Sequence, residues 1–233
     1  MSRFRSALIA AVLAAAPLGA WATSPPAGAG PAALSHAEAQ ARAVMAEVQR
    51  LEDQRAVERL QMVYGFYFDK KLWDEVAALF ALNGTMEMDN RGVFVGPEHI
   101  RRSLEVFGPQ PIKTGQLFNY IQLQPVVTVA AGGKTAKGRW RAFIQTGVSG
   151  QNGEWADGVY ENDYVKEGGV WKIKRLRYCQ TMRSAYAQGW AKSAEPAPGV
   201  DPNFKPDRPP SGDCRAYPDI QGPAFHFKNP VSD

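Results

Sequence analysis

Residues 154–177 read EWADGVYENDYVKEGGVWKIKRLR, and the way this run divides decides the fold. Gly168 and Gly169 split it into two β-type segments, one alternating aromatic and polar residues, the other built on GVWKIK. A glycine pair between two such runs marks a β-hairpin, because glycine reaches the left-handed conformations that tight turns require. Period-two alternation puts Gly158, Tyr160, Asn162 and Tyr164 on one face, with Glu161 and Asp163 on the other. The first face could be a core, a surface or the lining of a pocket. In the second segment Trp171 and Ile173 have odd parity, whereas Leu176, Tyr178 and Gln180 have even parity. Both sets face inward only if one extra residue sits near Lys174–Arg175, a β-bulge.

Upstream of this hairpin the same texture continues. Segments 118–130 and 135–146 precede 155–166 and 170–184, and the turns between them are AAGGK, GVSGQNG and EGG. Before them, TMEMD and GVFVG read as short strands, and GPEHIRRSLEVFG as a short helix with Pro97 suited to its first turn. The chain ahead of these is helical. Ser35 and Glu38 form a capping-box pattern, and helical spacing runs from there to about residue 71, with a break expected near Glu52–Asp53. Val57, Leu60, Val63, Tyr64 and Tyr67 lie on one arc, Met62, Phe66 and Trp73 on another, so this helix is apolar nearly all round and reads as buried. Helices first and a long antiparallel meander afterwards predict an α+β fold.

The two ends differ in composition. Arg3 and Arg5, the apolar run ALIAAVLAAAPLGA and Ala20-Trp21-Ala22 make a secretory signal peptide over residues 1–22, too short and too Pro-broken to serve as a membrane span. The mature chain is therefore expected to be periplasmic or secreted, with no membrane contact once the leader is removed. Residues 23–34 read as a flexible linker, 35–51 as an N-terminal helix, 52–190 as the domain. Nine of the 17 prolines fall after Glu195, which forbids a regular helix or central strand there, yet Phe204, Tyr217, Phe225 and Phe227 argue against simple disorder. Residues 191–233 are thus expected to be an extension packed on the domain.

An excess of 27 Lys and Arg over 23 Asp and Glu gives +4, and loss of Arg3 and Arg5 halves it. That small, evenly spread charge does not point to nucleic acid. Cys179 and Cys214 are the two cysteines, and in an exported chain they read as a disulfide rather than a metal site or nucleophile. His36, His99 and His226 are too scattered to suggest a metal centre. No cofactor is expected.

The order and spacing of YFDKKLWDEVAALF, NGTMEMD, GPEHI, KTAKGRWRAF and GVYENDYVKEGGVWKI, over roughly residues 52–185, resemble the nuclear transport factor 2-like superfamily, and within it the SnoaL-like and scytalone dehydratase-like branch. The resemblance implies a cone-shaped, strongly bent antiparallel sheet wrapped on the N-terminal helices, with a pocket on its inner face. It also implies cofactor-free lyase, isomerase or cyclase chemistry by side-chain acids and bases. The motif positions of the branch fall here on Phe68 and Asp69, on Asn90, and on Tyr160, so that Gly158, Tyr160, Asn162 and Tyr164 are expected to face the pocket. The histidines that a scytalone dehydratase carries in its sheet have no counterpart in the strands expected here, which leaves a carboxylate as the base.

Asp69, Tyr67 and Asn119 are accordingly the candidate catalytic residues. Tyr64, Phe68, Asn90, Tyr160, Asn162, Tyr164 and Tyr178 are the candidates for binding an apolar or aromatic small molecule. Each has a plainer reading beside it. Asp69 could be a solvated helix end paired with a neighbouring lysine, and the tyrosines could be ordinary core filling. Arg139 and Arg141 on one strand, with Glu161 and Asp163 on the next, read as a charged outer ladder or a surface for a homo-oligomer. The function expected is an exported lyase or isomerase of dehydratase, cyclase or aldehyde-releasing type. The alternative is a periplasmic protein of the same fold that only binds its ligand.

Overall fold

The computed structural model describes residues 31–233 except Asp213, Ile220 and Asp233, with side chains from Ser35 onward. The expected signal peptide lies outside these residues. The chain divides into two units at Met45–Ala46. The first contributes, among described residues, only the opening turns of helix α1 (Pro31–Asp69), whose side chains are exposed. Helix α1 starts before the expected cap at Ser35, taking the last residues of the expected linker, because Pro31 suits a first helical turn and Ala32-Ala33-Leu34 continue it. It also runs unbroken past Glu52–Asp53, where no proline or glycine interrupts the backbone ladder.

The second unit holds everything else. Helix α2 (Trp73–Ala78) leads to β1 (Phe80–Met88), β2 (Val93–Val95) and α3 (Gly96–Ser103), and a 3₁₀ turn at Leu104–Phe107 follows. Four long strands complete the sheet: β3 (Gln116–Val129), β4 (Thr135–Val148), β5 (Asn152–Glu167) and β6 (Val170–Ala185). The order is β2-β1-β6-β5-β4-β3. All neighbours are antiparallel except β1 and β6, so the sheet is mixed. The Gly168–Gly169 turn closes the β5–β6 hairpin with both glycines at positive φ (57° and 84°). Within that hairpin Asp163 pairs with Arg175 but Tyr164 pairs with Ile173, which leaves Lys174 as an extra residue. This is the bulge that the parity change demands, and Trp171, Ile173, Leu176, Tyr178 and Gln180 are all buried.

The concave face of the sheet closes on the C-terminal half of α1. Phe68 is fully buried at the centre of an aromatic cluster, with ring centroids 4.8 Å from Tyr120, 5.3 Å from Trp73 and 5.4 Å from Tyr64. Burying a ring of this size stabilises by about 1.5–3 kcal/mol. Gln61, also fully buried, supplies the polar centre. Its Nε2 donates to Gln122 (2.6 Å), and its Oε1 accepts from the Tyr164 hydroxyl (2.7 Å) and from Asn162 (3.1 Å). Asp53 pins the hairpin to α1 by accepting from Lys166 Nζ (2.7 Å) and Trp171 Nε1 (2.9 Å).

The Pro-rich extension packs on β1, β2 and β6. Val93 and Arg208 form a β-bridge, the Tyr217 N–H donates to the Thr181 carbonyl (2.7 Å), and the Ser211 N–H donates to Glu87 (2.8 Å). A disulfide joins Cys179 to Cys214, with Cα atoms 5.3 Å apart. The charged ladder is present, with Arg139 on Glu161 (2.6 Å) and Lys137 and Arg175 both on Asp163 (2.7 Å each). However, His226 bonds Glu161, and the Phe225 ring lies 4.5 Å from the Arg139 guanidinium. The ladder face offered by the sequence as an oligomer surface is therefore taken in part by the chain's own tail.

Candidate active site

The middle of the concave face is filled, and the open space lies toward one end of the sheet. There β5 contributes the small side chain of Ala156, and a cavity of about 360 Å³ opens between the end of β1, the start of β3, the far half of β4 and β6. Phe107 of the 3₁₀ turn and Pro198 of the extension complete its wall.

Asp89 is the central ionisable group. It follows β1 directly, its backbone is left-handed (φ 58°), and only 6% of it is exposed. Its N–H donates to the Tyr178 carbonyl (2.8 Å), and its Oδ1 accepts the Gln180 N–H at 2.6 Å. These two bonds to β6 hold the carboxyl in the cavity wall. Burial pushes its pKa up to about 7, against the pull of the Gln180 N–H and of the Arg91 and Arg183 charges. Tyr120 and Tyr178 line the same cavity, and burial pushes both phenols up, with the charge of Asp89 adding to it. They therefore stand as neutral O–H groups beside a carboxyl that titrates near neutrality.

Lys71 is the second residue in an uncommon backbone state (φ 52°) and is 6% exposed. Its Nζ donates to the Phe107 carbonyl (2.6 Å) and lies 4.7 Å from the centroid of the Phe118 ring. Burial holds its pKa below the usual lysine value. Left-handed backbone at two non-glycine cavity residues is strain of the kind that collects at functional sites. Arg183 closes the polar end, paired with Glu154 (2.8 Å) and near Glu195 (3.5 Å).

Of the candidate catalytic and binding residues named from the sequence, Tyr178 alone lines this cavity, beside Gln180 of the same inward set. Tyr64, Phe68, Tyr160, Asn162 and Tyr164 do face inward, but inward at their level is packed core, because α1 fills the concavity there. Asn162 and Tyr164 are held by Gln61, and among the described residues the hydroxyls of Tyr64 and Tyr160 have no partner beyond their mutual approach. Tyr67 packs on the edge of that core. Asn119 has the outward parity of β3, opposite to Phe118 and Tyr120, and its amide donates to Gln145 across the strand pair (3.1 Å). Asn90 fastens the extension: its Nδ2 donates to the Cys214 carbonyl (2.9 Å) and its Oδ1 accepts the Cys214 N–H (3.0 Å). Asp69 is half-buried with a raised pKa, burial being the main cause, and its Oδ1 accepts the Tyr120 N–H at 2.6 Å. It anchors the start of β3 beside the cavity without lining it.

The sequence reading missed Asp89, Lys71, Arg91 and Arg183. The available signal was in TMEMDNR, where a carboxylate directly follows two alternating methionines that must be core. Strict alternation would have turned Asp89 outward, and the left-handed turn at this residue is what brings it in.

Tyr178 depends on a glycine opposite it. A Cβ on Gly158 would lie 2.3 Å from the Tyr178 hydroxyl oxygen, closer than side-chain atoms approach. Gly158→Ala should therefore swing Tyr178 into the cavity and lower stability by about 1–3 kcal/mol, as overpacked cores do. Urea unfolding would measure it, and an unchanged midpoint would show that the ring gives way freely.

The profile of a SnoaL-like domain matches residues 49–177. Among solved structures, a candidate scytalone dehydratase from Novosphingobium aromaticivorans DSM 12444 is 22% identical with a TM-score of 0.52, covering 66% of this chain and 99% of that one. A type 2 hexachlorocyclohexane dehydrochlorinase (LinA) is 20% identical with a TM-score of 0.51, over 62% and 95%. The LinA-type3 enzyme of Novosphingobium barchaimii LL02 is 18% identical with a TM-score of 0.52, over 62% and 97%. At these identities the likeness establishes the cone-shaped fold. Nothing among curated proteins matches the chain.

Proposed function

The chain belongs to the SnoaL-like domain family, and from that premise we propose that it is a cofactor-independent lyase or isomerase in which Asp89 moves a proton on an aromatic or polycyclic small molecule. One observation carries the reading. A carboxyl with a pKa of about 7 lies in the wall of a cavity that it shares with two neutral phenols. A general base works best when its pKa lies near the working pH. The structural relatives named as a dehydratase and dehydrochlorinases support an elimination, since both names describe one.

In such a step the Asp89 carboxylate takes a proton from carbon, and the released electron pair forms a double bond. The leaving group departs with its electrons, and a leaving oxygen recovers the proton from Asp89, which returns to its carboxylate. Tyr120 and Tyr178 donate hydrogen bonds to charge that develops on a substrate oxygen, a contact stronger in the transition state than before it. We propose further that the mature chain is exported. The basic and apolar leader motif supports this, as does a disulfide that an oxidising compartment would maintain.

Mass spectrometry of molecules that co-purify with the protein would supply a substrate to test. With that substrate, kcat/KM should rise with pH through about 7 as Asp89 ionises. A profile flat from about pH 5 to 9 would remove Asp89 as the base. A bound molecule released unchanged would favour a ligand-binding protein instead.

A further inference from the structure

Three cations line the cavity, and they are not equivalent. Arg183 is neutralised by Glu154 and Glu195. Lys71 and Arg91 both lie against Phe107, Lys71 through the carbonyl at 2.6 Å and Arg91 over the ring at 5.7 Å. Among the described residues these two are matched with aromatic rings and a carbonyl, not with a carboxylate. Burying an ammonium without a counter-ion is costly, and a single carbonyl satisfies only one of its three N–H donors. The rings around them are open to the cavity: Phe107, Phe118 and Tyr120 form one aromatic wall, with centroids 4.7–6.4 Å apart.

We infer that the ligand of this cavity is an aromatic carboxylate, with its ring against Phe107, Phe118 and Tyr120 and its anionic group between Lys71 and Arg91. A carboxylate supplies the missing counter-charge. It accepts the free N–H groups of Lys71 and can take two parallel N–H bonds from the planar guanidinium of Arg91. Asp89 offsets only part of the two charges: its Oδ1 accepts the Gln180 N–H, no ion pair joins it to Lys71 or Arg91 among the described residues, and it carries about half a negative charge near pH 7. The plainer role for Lys71, a cap on the Phe107 carbonyl, explains its one hydrogen bond but leaves Arg91 without a reason to share the same wall. This inference rests on the cavity being the ligand site, as in the function proposed above, but not on Asp89 being the base.

The test compares 2-naphthoate with the neutral 2-naphthamide by calorimetry at about pH 7. Wild-type protein should bind naphthoate at least about tenfold more tightly. Lys71→Met keeps the length of the stem and removes the charge, and Arg91→Gln removes the charge with a shorter polar side chain at a partly exposed position. Each should bring the two affinities to within about threefold of each other. Asp89→Asn should leave the preference for naphthoate in place, so that failure of the proton-transfer reading and failure of this one are seen separately. Equal affinities in the wild type, no saturable naphthoate binding, or a preference unmoved by both cation substitutions would each overturn the inference.

Discussion

Asp89→Asn should cost turnover by about 10²-fold or more while making the protein more stable above neutral pH. The two effects share one cause. In the folded chain the Asp89 carboxyl titrates at about 7, against an ordinary value of 3.8. Between those values the folded state holds a proton that the unfolded chain has released, so stability falls as pH rises through this window and the penalty is complete above it. A shift of that size corresponds to about 4 kcal/mol as an upper bound. Asparagine carries no charge and escapes the penalty, although it weakens the charge-assisted bond from the Gln180 N–H. A net gain of about 1–3 kcal/mol at pH 8 is expected, shrinking as pH falls through this window and gone below about pH 3, where the wild-type carboxyl is neutral in both states. Thermal unfolding across pH and steady-state rates on the same preparation measure both. Lost stability at pH 8 would make Asp89 a structural acceptor for Gln180, and unchanged turnover would move the base elsewhere.

That such a residue escaped the sequence while the fold did not follows from what each depends on. The fold is written in periodicities that every residue of an element repeats. The parity of Trp171 and Ile173 against Leu176, Tyr178 and Gln180 pointed to a bulge near Lys174–Arg175 because all five side chains had to agree on one inner face, and the structure places it at Lys174. The inward parity of Tyr160, Asn162 and Tyr164 was legible for the same reason. Whether inward means core or pocket is not a periodic property. It depends on what arrives from elsewhere, and here α1 delivers Tyr64, Phe68 and Gln61 to the middle of the sheet, which closes the space there. The cavity survives only where Ala156 meets no bulky residue of the helix. Its chemistry comes from backbone exceptions, the left-handed Asp89 and Lys71, where alternation and helical spacing no longer say which way a side chain points. The pairing of β1 parallel to β6 was also beyond local pattern, since it joins residues about ninety positions apart in the chain.

The extension makes the last large effect. Replacing Cys179 and Cys214 together by serine should lower stability by about 3–4 kcal/mol, because the bridge closes a loop spanning 35 positions in a chain that would otherwise be free when unfolded. Both sulfurs are buried, and the tail around Cys214 has little regular structure of its own to replace the link. The consequence should reach the cavity. Cys179 precedes Gln180, whose N–H holds the Asp89 carboxyl, and Cys214 holds Asn90, the residue after Asp89, through two hydrogen bonds. The Asn90 N–H in turn donates to the carbonyl of Pro198, which forms part of the cavity wall. The bridge thus ties the two neighbours of the Asp89 contact into one closed unit, and its loss should free the 195–198 segment as well as the tail. Unfolding in urea without reductant would give the stability change, and non-reducing peptide mapping would confirm the bridge in the parent protein. The serine variant should also bind 2-naphthoate more weakly at a temperature where it remains folded, since Pro198 no longer closes the wall. A stability loss below about 1 kcal/mol would mean that the tail is held by its hydrogen bonds to β1, β2 and β6 alone. Unchanged binding would mean that Pro198 keeps its place without the sulfur link, and that the bridge secures the tail only.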